Sequence, residues 1–171
     1  GEPIEGFQSY EHALPMQSID NTYSLEDLEA WIHRISASLC EAGLLQEGQM
    51  PLMVCDPKID GVAISLRYEE GNLVQALTRG DGHRGDDVTE NIRTIRAIPL
   101  KLDVDIELIE VRGEIFMPDA EFDRINAERD TQGEALFANA RNSTAGTLKS
   151  LDPAVVASRR LSFLAHGRGL V

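Results

Sequence analysis

Residues 62–80, "VAISLRYEEGNLVQALTRG", decide the fold class. Two runs rich in β-branched and other apolar residues flank Glu69-Glu70-Gly71-Asn72, whose glycine supplies the positive φ that a tight turn requires. The stretch therefore predicts a β-hairpin. Upstream, "PLMVC" (51–55) reads as another buried strand. Before it, "SLEDLEAWIHRISASL" (24–39) reads as an amphipathic helix: Ser24 with Asp27 three residues on gives a capping-box-like start, and Leu25, Leu28, Ile32, Ile35 and Leu39 recur at helical spacing. Downstream, "DVTENIRTIRAI" (87–98) predicts a helix up to the break at Pro99, and "IELIEVRGEIFM" (106–117) a strand. "PDAEFDRINAERD" (118–130) predicts a helix with proline near its first turn, "NARNSTAGTLKS" (139–150) a loop entering a short helix, and "RRLSFLAHG" (159–167) a last strand. Antiparallel strands with helices outside them predict an α+β class rather than a parallel doubly wound sheet.

At 171 residues and 42% hydrophobic composition, the chain is one domain's worth and carries enough apolar residues for an ordinary core. The 29 acidic and 16 basic residues give a formal net charge of -13, which excludes indiscriminate binding to nucleic acid or anionic membrane, because phosphate affinity comes mostly from lysine and arginine. Any contact with DNA must be local. Cys40, Cys55 and four scattered histidines show no metal-ligand spacing and no disulfide framework, so a reducing cytoplasm is the expected location. Neither an apolar run of about 18 residues nor a signal-peptide pattern is present, and no membrane partner is expected.

The chemistry concentrates in four blocks. "VCDPKIDG" (54–61) packs Lys58, Asp60 and Gly61 into one turn. A lone K-x-D-G is most often an ordinary strand-end turn. In the functional reading the turn presents Lys58 to a phosphate as a covalent nucleophile, with Gly61 allowing close backbone approach and Asp60 as a carboxylate partner. "TRGDGHRGDDVTENIRTI" (78–95) sets Arg79 at a strand end, spaces Gly80, Gly82 and Gly85 as an amide nest for an anion, and opens a helix with Asp86 and Asp87; its plain alternative is an acidic glycine-rich loop. "VRGEIFMP" (111–118) places Glu114 in an otherwise apolar strand, where a carboxylate needs a cation, a cleft or a ligand. "FANARNSTAGTLKS" (137–150) carries Arg141 and Lys149 among small residues, and could equally be a short capped helix.

In this order, and together with "HALPMQSIDNTYS" (12–24), these blocks resemble the nucleotidyltransferase (adenylation) domain of the NAD-dependent DNA ligases over nearly the whole chain. The resemblance implies the antiparallel-sheet nucleotidyltransferase fold of DNA ligases and mRNA capping enzymes, with peripheral helices, as a single partial adenylation domain over residues 1–171. It implies an enzyme that forms a lysine–AMP intermediate from NAD and uses it to seal nicks in duplex DNA during replication and repair. NAD is then the AMP donor and Mg2+ the metal, with zinc confined to family modules outside this chain.

By similarity, Lys58 is the nucleophile, Asp60 and Gly61 shape its turn, and Glu114 bonds the adenylate ribose and helps seat metal. Arg79 and Arg141 handle ribose or phosphate charge, and Ser18, Ile19 and Asp20 match the segment lining the adenine pocket. Two positions depart from the family pattern: Asp56 stands where a glutamate contacts the adenine amino group, and Lys149 where a second arginine meets the nick phosphate. The family also carries two further lysine motifs and an N-terminal nicotinamide-recognising segment that these residues do not include, so the chain alone is expected to be incomplete for catalysis. The competing readings are a diverged short paralogue that binds adenylate or a partner without ligating, and another lysine-nucleotidyl enzyme of RNA-ligase or capping type. Oligomeric state is left open.

Overall fold

The computed structural model describes residues 6–171. In chain order its elements are β1 (Ser9–Glu11), α1 (Leu25–Glu41), β2 (Val62–Glu69), β3 (Asn72–Thr78), β4 (Arg84–Asp86) and α2 (Thr89–Ile92). They continue with β5 (Leu108–Phe116), α3 (Asp119–Thr131), α4 (Ala140–Leu148), α5 (Pro153–Ser158) and β6 (Ser162–Arg168). A four-stranded antiparallel sheet runs β3-β2-β5-β6, and β1 pairs with β4 in a separate two-stranded ribbon. The mixed helix and antiparallel-sheet class is as expected.

The predicted hairpin forms, and its turn is sharper than one glycine requires. Glu70 (φ 47) and Gly71 (φ 77) both adopt positive φ, the two-residue loop whose twist matches that of the flanking strands. A Cβ at Gly71 would stand 2.7 Å from the Leu102 carbonyl oxygen, so the turn is packed as well as bent. Because side chains alternate along a strand, Ile64, Leu66 and Tyr68 of β2 share one face with Ile115 of β5 and with Leu73 and Ala76 of β3. That face is the core, closed by Ile92, Ile95, Ile98, Ile125, Leu148 and Val156 from the helical connections. Tyr68 satisfies its buried hydroxyl by donating to the Pro99 carbonyl at 2.9 Å, and burial pushes its pKa up to about 12. The opposite face is polar: Ala63 lies opposite Glu114, Ser65 opposite Arg112, and Arg67 opposite Glu110. Glu114 therefore belongs to an alternating strand, not to an apolar run.

Residues 18–58 form a second compact unit. It is built on α1, whose N-terminus follows the sequence signal: Ser24 Oγ accepts from Asp27 N at 3.1 Å, while Asp27 Oδ2 accepts from Tyr23 N at 3.3 Å. At the other end Gly43 (φ 70) follows the cap, Gly43 N donates to Cys40 O and Leu44 N donates to Leu39 O, both at 2.9 Å, a Schellman closure.

Three local expectations change. "PLMVC" forms no strand, and Leu52, Met53 and Val54 are exposed. Pro51 and Pro57 bracket the run and remove amide donors at both ends, and the apolar residues do not alternate with polar ones. The helix expected over 87–98 lasts only Thr89–Ile92. Beyond it Thr94 N and Thr94 Oγ1 both donate to Asn91 O, at 3.1 and 2.7 Å, and Ile95 and Ile98 close three-residue turns, so side-chain competition and tight turns replace the α ladder. Finally β1, β4 and α5 are additional elements; α5 starts with Asp152 accepting from Ala154 N at 2.9 Å ahead of Pro153.

Candidate functional site

Within the unit that contains the sheet, the expected residues gather around the polar sheet face and the start of β2. Asp60 and Gly61 lead into β2 immediately before the Val62–Ile115 pair. A Cβ at Gly61 would stand 2.0 Å from the Ile115 carbonyl oxygen, so this glycine is required by the backbone of β5 itself. Glu114, half-buried, follows Gly113 and precedes that same Ile115, which puts the Asp60–Gly61 turn and Glu114 at one end of two paired strands. Gly113 is a second enforced glycine, since a Cβ there would meet the Phe163 ring and the Leu164 carbonyl oxygen at 2.4 Å.

Arg112, one register step along the polar face, reaches out of the sheet. Its guanidinium donates to Pro15 O at 2.9 Å and Leu14 O at 2.6 Å and lies 3.9 Å from Glu110. The residue 12–16 segment is thereby laid along the loop after β3: Met16 N donates to Gly82 O and His12 N to His83 O, both at 2.8 Å, and His12 Nε2 lies 3.1 Å from Arg79 O. Arg79 is half-buried at the end of β3.

The loop's glycines are shaped by its own packing. Gly80 (φ 58) would bring a Cβ within 1.8 Å of Arg84 O, and Gly85 within 1.7 Å of Thr78 O. One amide of the expected anion nest is already engaged, Gly82 N donating to Arg79 O, and beside it the Asp81 carboxylate accepts from His83 N and Arg84 N, both at 2.8 Å. Those bonds, from Arg84 and then His83, hold the Asp81 carboxyl below its ordinary range. The chain's own carboxylate thus takes two amides of this loop.

The helix α4 is fastened at both ends. Asn139 caps it by accepting from Asn142 N at 2.8 Å, and Arg141 in its first turn pairs with Asp60 at 3.4 Å. At its far end the buried Asn91 donates to Leu148 O and Ser150 O, both at 2.8 Å, satisfying carbonyls that a helix terminus leaves open. Beside them Lys149 pairs with Asp86 at 2.8 Å. The K-x-D-G turn, the glycine-rich block and the arginine block, far apart in sequence, thus meet on this one helix. Asn91, Arg112 and Asp86 were not singled out as site residues from the sequence, nor was the pairing of Asp86 with Lys149. Asn91 carried no local signal, and the others depend on pairings across long sequence separations.

Lys58, Asp56, Ser18, Ile19 and Asp20 belong to the second unit and are exposed. A shallow cavity of about 340 Å³ is lined by Gly6, Gln8, Val74, Asp87, Thr89, Glu90 and Arg93, none of them an expected site residue. Among the described residues no group of three His, Cys, Asp or Glu side chains is placed to hold a metal ion, Cys40 and Cys55 are free thiols, and no helix is long and apolar enough to cross a membrane.

A mixed helix and antiparallel-sheet domain whose sheet has one apolar and one charged face, with Asp60 and Gly61 leading into its β2 strand, is the class these observations define. Residues 4–171 match the family model of the NAD-dependent DNA ligase adenylation domain. The chain is 51% identical over 168 residues to a DNA ligase of Synechococcus sp. (strain RCC307), a match covering 97% of the chain and 24% of that relative. It is 49% identical over 169 residues to a DNA ligase of Prochlorococcus marinus (strain NATL2A), with 97% and 24% covered, and 49% identical over 177 residues to one of Akkermansia muciniphila, with 99% and 21% covered. The chain belongs to the NAD-dependent DNA ligase adenylation domain family. It spans about a quarter of the length of the curated relatives it matches.

Proposed function

We propose that this chain, as a partial adenylation domain with the nucleotidyltransferase fold, serves a DNA ligase that takes AMP from NAD onto Lys58 and passes it to the 5′-phosphate of a nick in duplex DNA, in the replication and repair of a cytoplasmic genome. The observation that carries this reading is the placement of Asp60, Gly61 and Glu114 at one end of the paired strands β2 and β5, with Arg141 bonded to Asp60. That end offers a carboxylate beside backbone that Gly61 keeps thin, and a guanidinium able to meet phosphate oxygens.

Lys58 attacks the α-phosphate of NAD through its neutral amine, and the phosphoanhydride bond breaks to release nicotinamide mononucleotide. Glu114 accepts from the ribose hydroxyls, Asp56 from the adenine amino group, and Ser18, Ile19 and Asp20 line the base. Arg79 and Arg141 take ribose or phosphate charge, and Lys149 the nick phosphate. The donor set fits Mg2+ only as an ion carried largely by substrate phosphates and water with Glu114 beside it, the usual arrangement for this cation. When bound it neutralises charge on the transferring phosphate.

The test is intact-protein mass spectrometry of the full-length protein incubated with Mg2+ and either NAD or ATP. A mass increase of one AMP with NAD, absent in Lys58→Ala, is expected. Labelling from ATP in preference to NAD would overturn the donor assignment, and labelling that survives Lys58→Ala would overturn the nucleophile.

A further inference from the structure

We propose that Asn91 is a positioning residue for the transfer of AMP to the nick, acting through Lys149. The inference rests on the reading above that Lys149 handles the nick phosphate. Asn91 is wholly buried, and its Nδ2 donates to Leu148 O and Ser150 O, both at 2.8 Å, the carbonyls of the two residues that flank Lys149. Its Oδ1 is buried with no hydrogen-bond partner among the described residues. Turning the amide over would set Oδ1 against two carbonyl oxygens, so the side chain has one orientation and its polar contribution lies in the bonds it donates.

Lys149 is thereby held through its backbone. Its own amide donates to Ala145 O at 3.1 Å and the Ser150 amide to Thr147 O at 3.0 Å, so each peptide plane from the Leu148 carbonyl to the Ser150 carbonyl has a partner. The Leu148 side chain is fixed in the core. Without the Asn91 donor, the Leu148 carbonyl at this helix end could reach water only by rotation of the peptide that joins it to Lys149. That rotation re-aims the Cα–Cβ bond of Lys149. The four-carbon stem absorbs part of the change, but the present placement of Nζ, 2.8 Å from Asp86, is lost.

The first turn of α4 does not depend on Asn91. Arg141 follows the Asn139 cap there and pairs with Asp60, and Ser143 and Thr144 are buried beside it. The effect of Asn91 should therefore fall on one step, the one in which an oxygen of the 5′-phosphate bonds to the AMP phosphorus. The phosphorus–nitrogen bond to Lys58 breaks, and its electron pair stays on the lysine nitrogen, which takes up a proton from water.

The test uses the full-length protein and Asn91→Leu, close in shape to asparagine but without donors. Adenylation of Lys58 from NAD is followed by intact mass, and transfer from the purified lysyl-AMP protein to a saturating nicked duplex by single-turnover kinetics. Transfer should slow about ten-fold or more relative to adenylation, as misplaced reacting groups do. In a Lys149→Ala background Asn91→Leu should slow transfer by less than about two-fold further, because the two residues act as one unit. Equal slowing of both steps, as a smaller folded fraction would give, overturns the inference. So does a full further loss in the Lys149→Ala background, which would mean that Asn91 acts elsewhere, while leaving the reading of Lys149 intact. Native transfer by Lys149→Ala alone overturns that reading and the inference with it. Should Asn91→Leu not fold, Asn91→Ser, which keeps one donor, goes through the same cycle and the same outcomes decide.

Discussion

Residues 50–54, "MPLMV", and residues 62–66, "VAISL", flank the Lys58 turn, have similar apolar content, and end in opposite environments. In the first, Leu52 is 96% and Val54 81% exposed; in the second, Ile64 and Leu66 are 0% and 1% exposed. Composition does not separate them. The second run alternates apolar and small residues, and every residue of it has a partner on β5, so one face enters the core and the other joins the charged face. The first has Pro51 within it and Pro57 beyond it, and it forms no strand. An apolar run becomes a strand through its neighbours' hydrogen bonds as much as through its own hydrophobicity.

The comparison predicts a steep gradient of mutational cost between Leu52 and Leu66. Leu66→Ala removes a fully buried side chain from the sheet's core face and should destabilise the chain by about 2–5 kcal/mol, read as a lower denaturation midpoint at unchanged slope. A cost under about 1 kcal/mol would mean that β2 is not the centre of the core. Gly61→Ala drives a methyl into the Ile115 carbonyl and should cost about 1–3 kcal/mol by the same measurement. It should also lower Lys58 adenylation in the full-length protein, because the turn would have to lift from β5. Leu52→Ser should shift the midpoint by less than about 0.5 kcal/mol, as substitutions at exposed sites do. A larger loss there would show that the two runs are more alike than their exposures indicate.

Elements whose signal is local were readable from the sequence. The Glu70–Gly71 turn, the Ser24 cap of α1 and the strand around Glu114 all rest on residues within a few positions of one another. The three-residue strands β1 and β4 are too short to show a period, and their pairing of Ser9 with Asp86 spans most of the first half of the chain. The site divides in the same way. Residue types announced the carboxylates and cations, but their partners did not: Asp60 with Arg141 and Lys149 with Asp86 are joined only once the sheet and α4 are in place. Gly80, Gly82 and Gly85 were read as an amide nest for an anion, whereas the missing Cβ of each makes room for a carbonyl of the chain itself, that of Arg84, Met16 and Thr78 respectively.

The hold of Arg112 on the Leu14 and Pro15 carbonyls has a consequence for the order of assembly during synthesis. The ribosome releases residues 12–16 about a hundred residues ahead of their anchor, which at about 5–20 residues per second is a wait of several seconds or more. Through that interval the β3 loop can close on itself, but nothing from β5 can fasten the leading segment. This segment thus waits for its β5 anchor long after it is made, and slowing translation just ahead of the Arg112 codon should prolong its susceptibility to protease without delaying the hairpin.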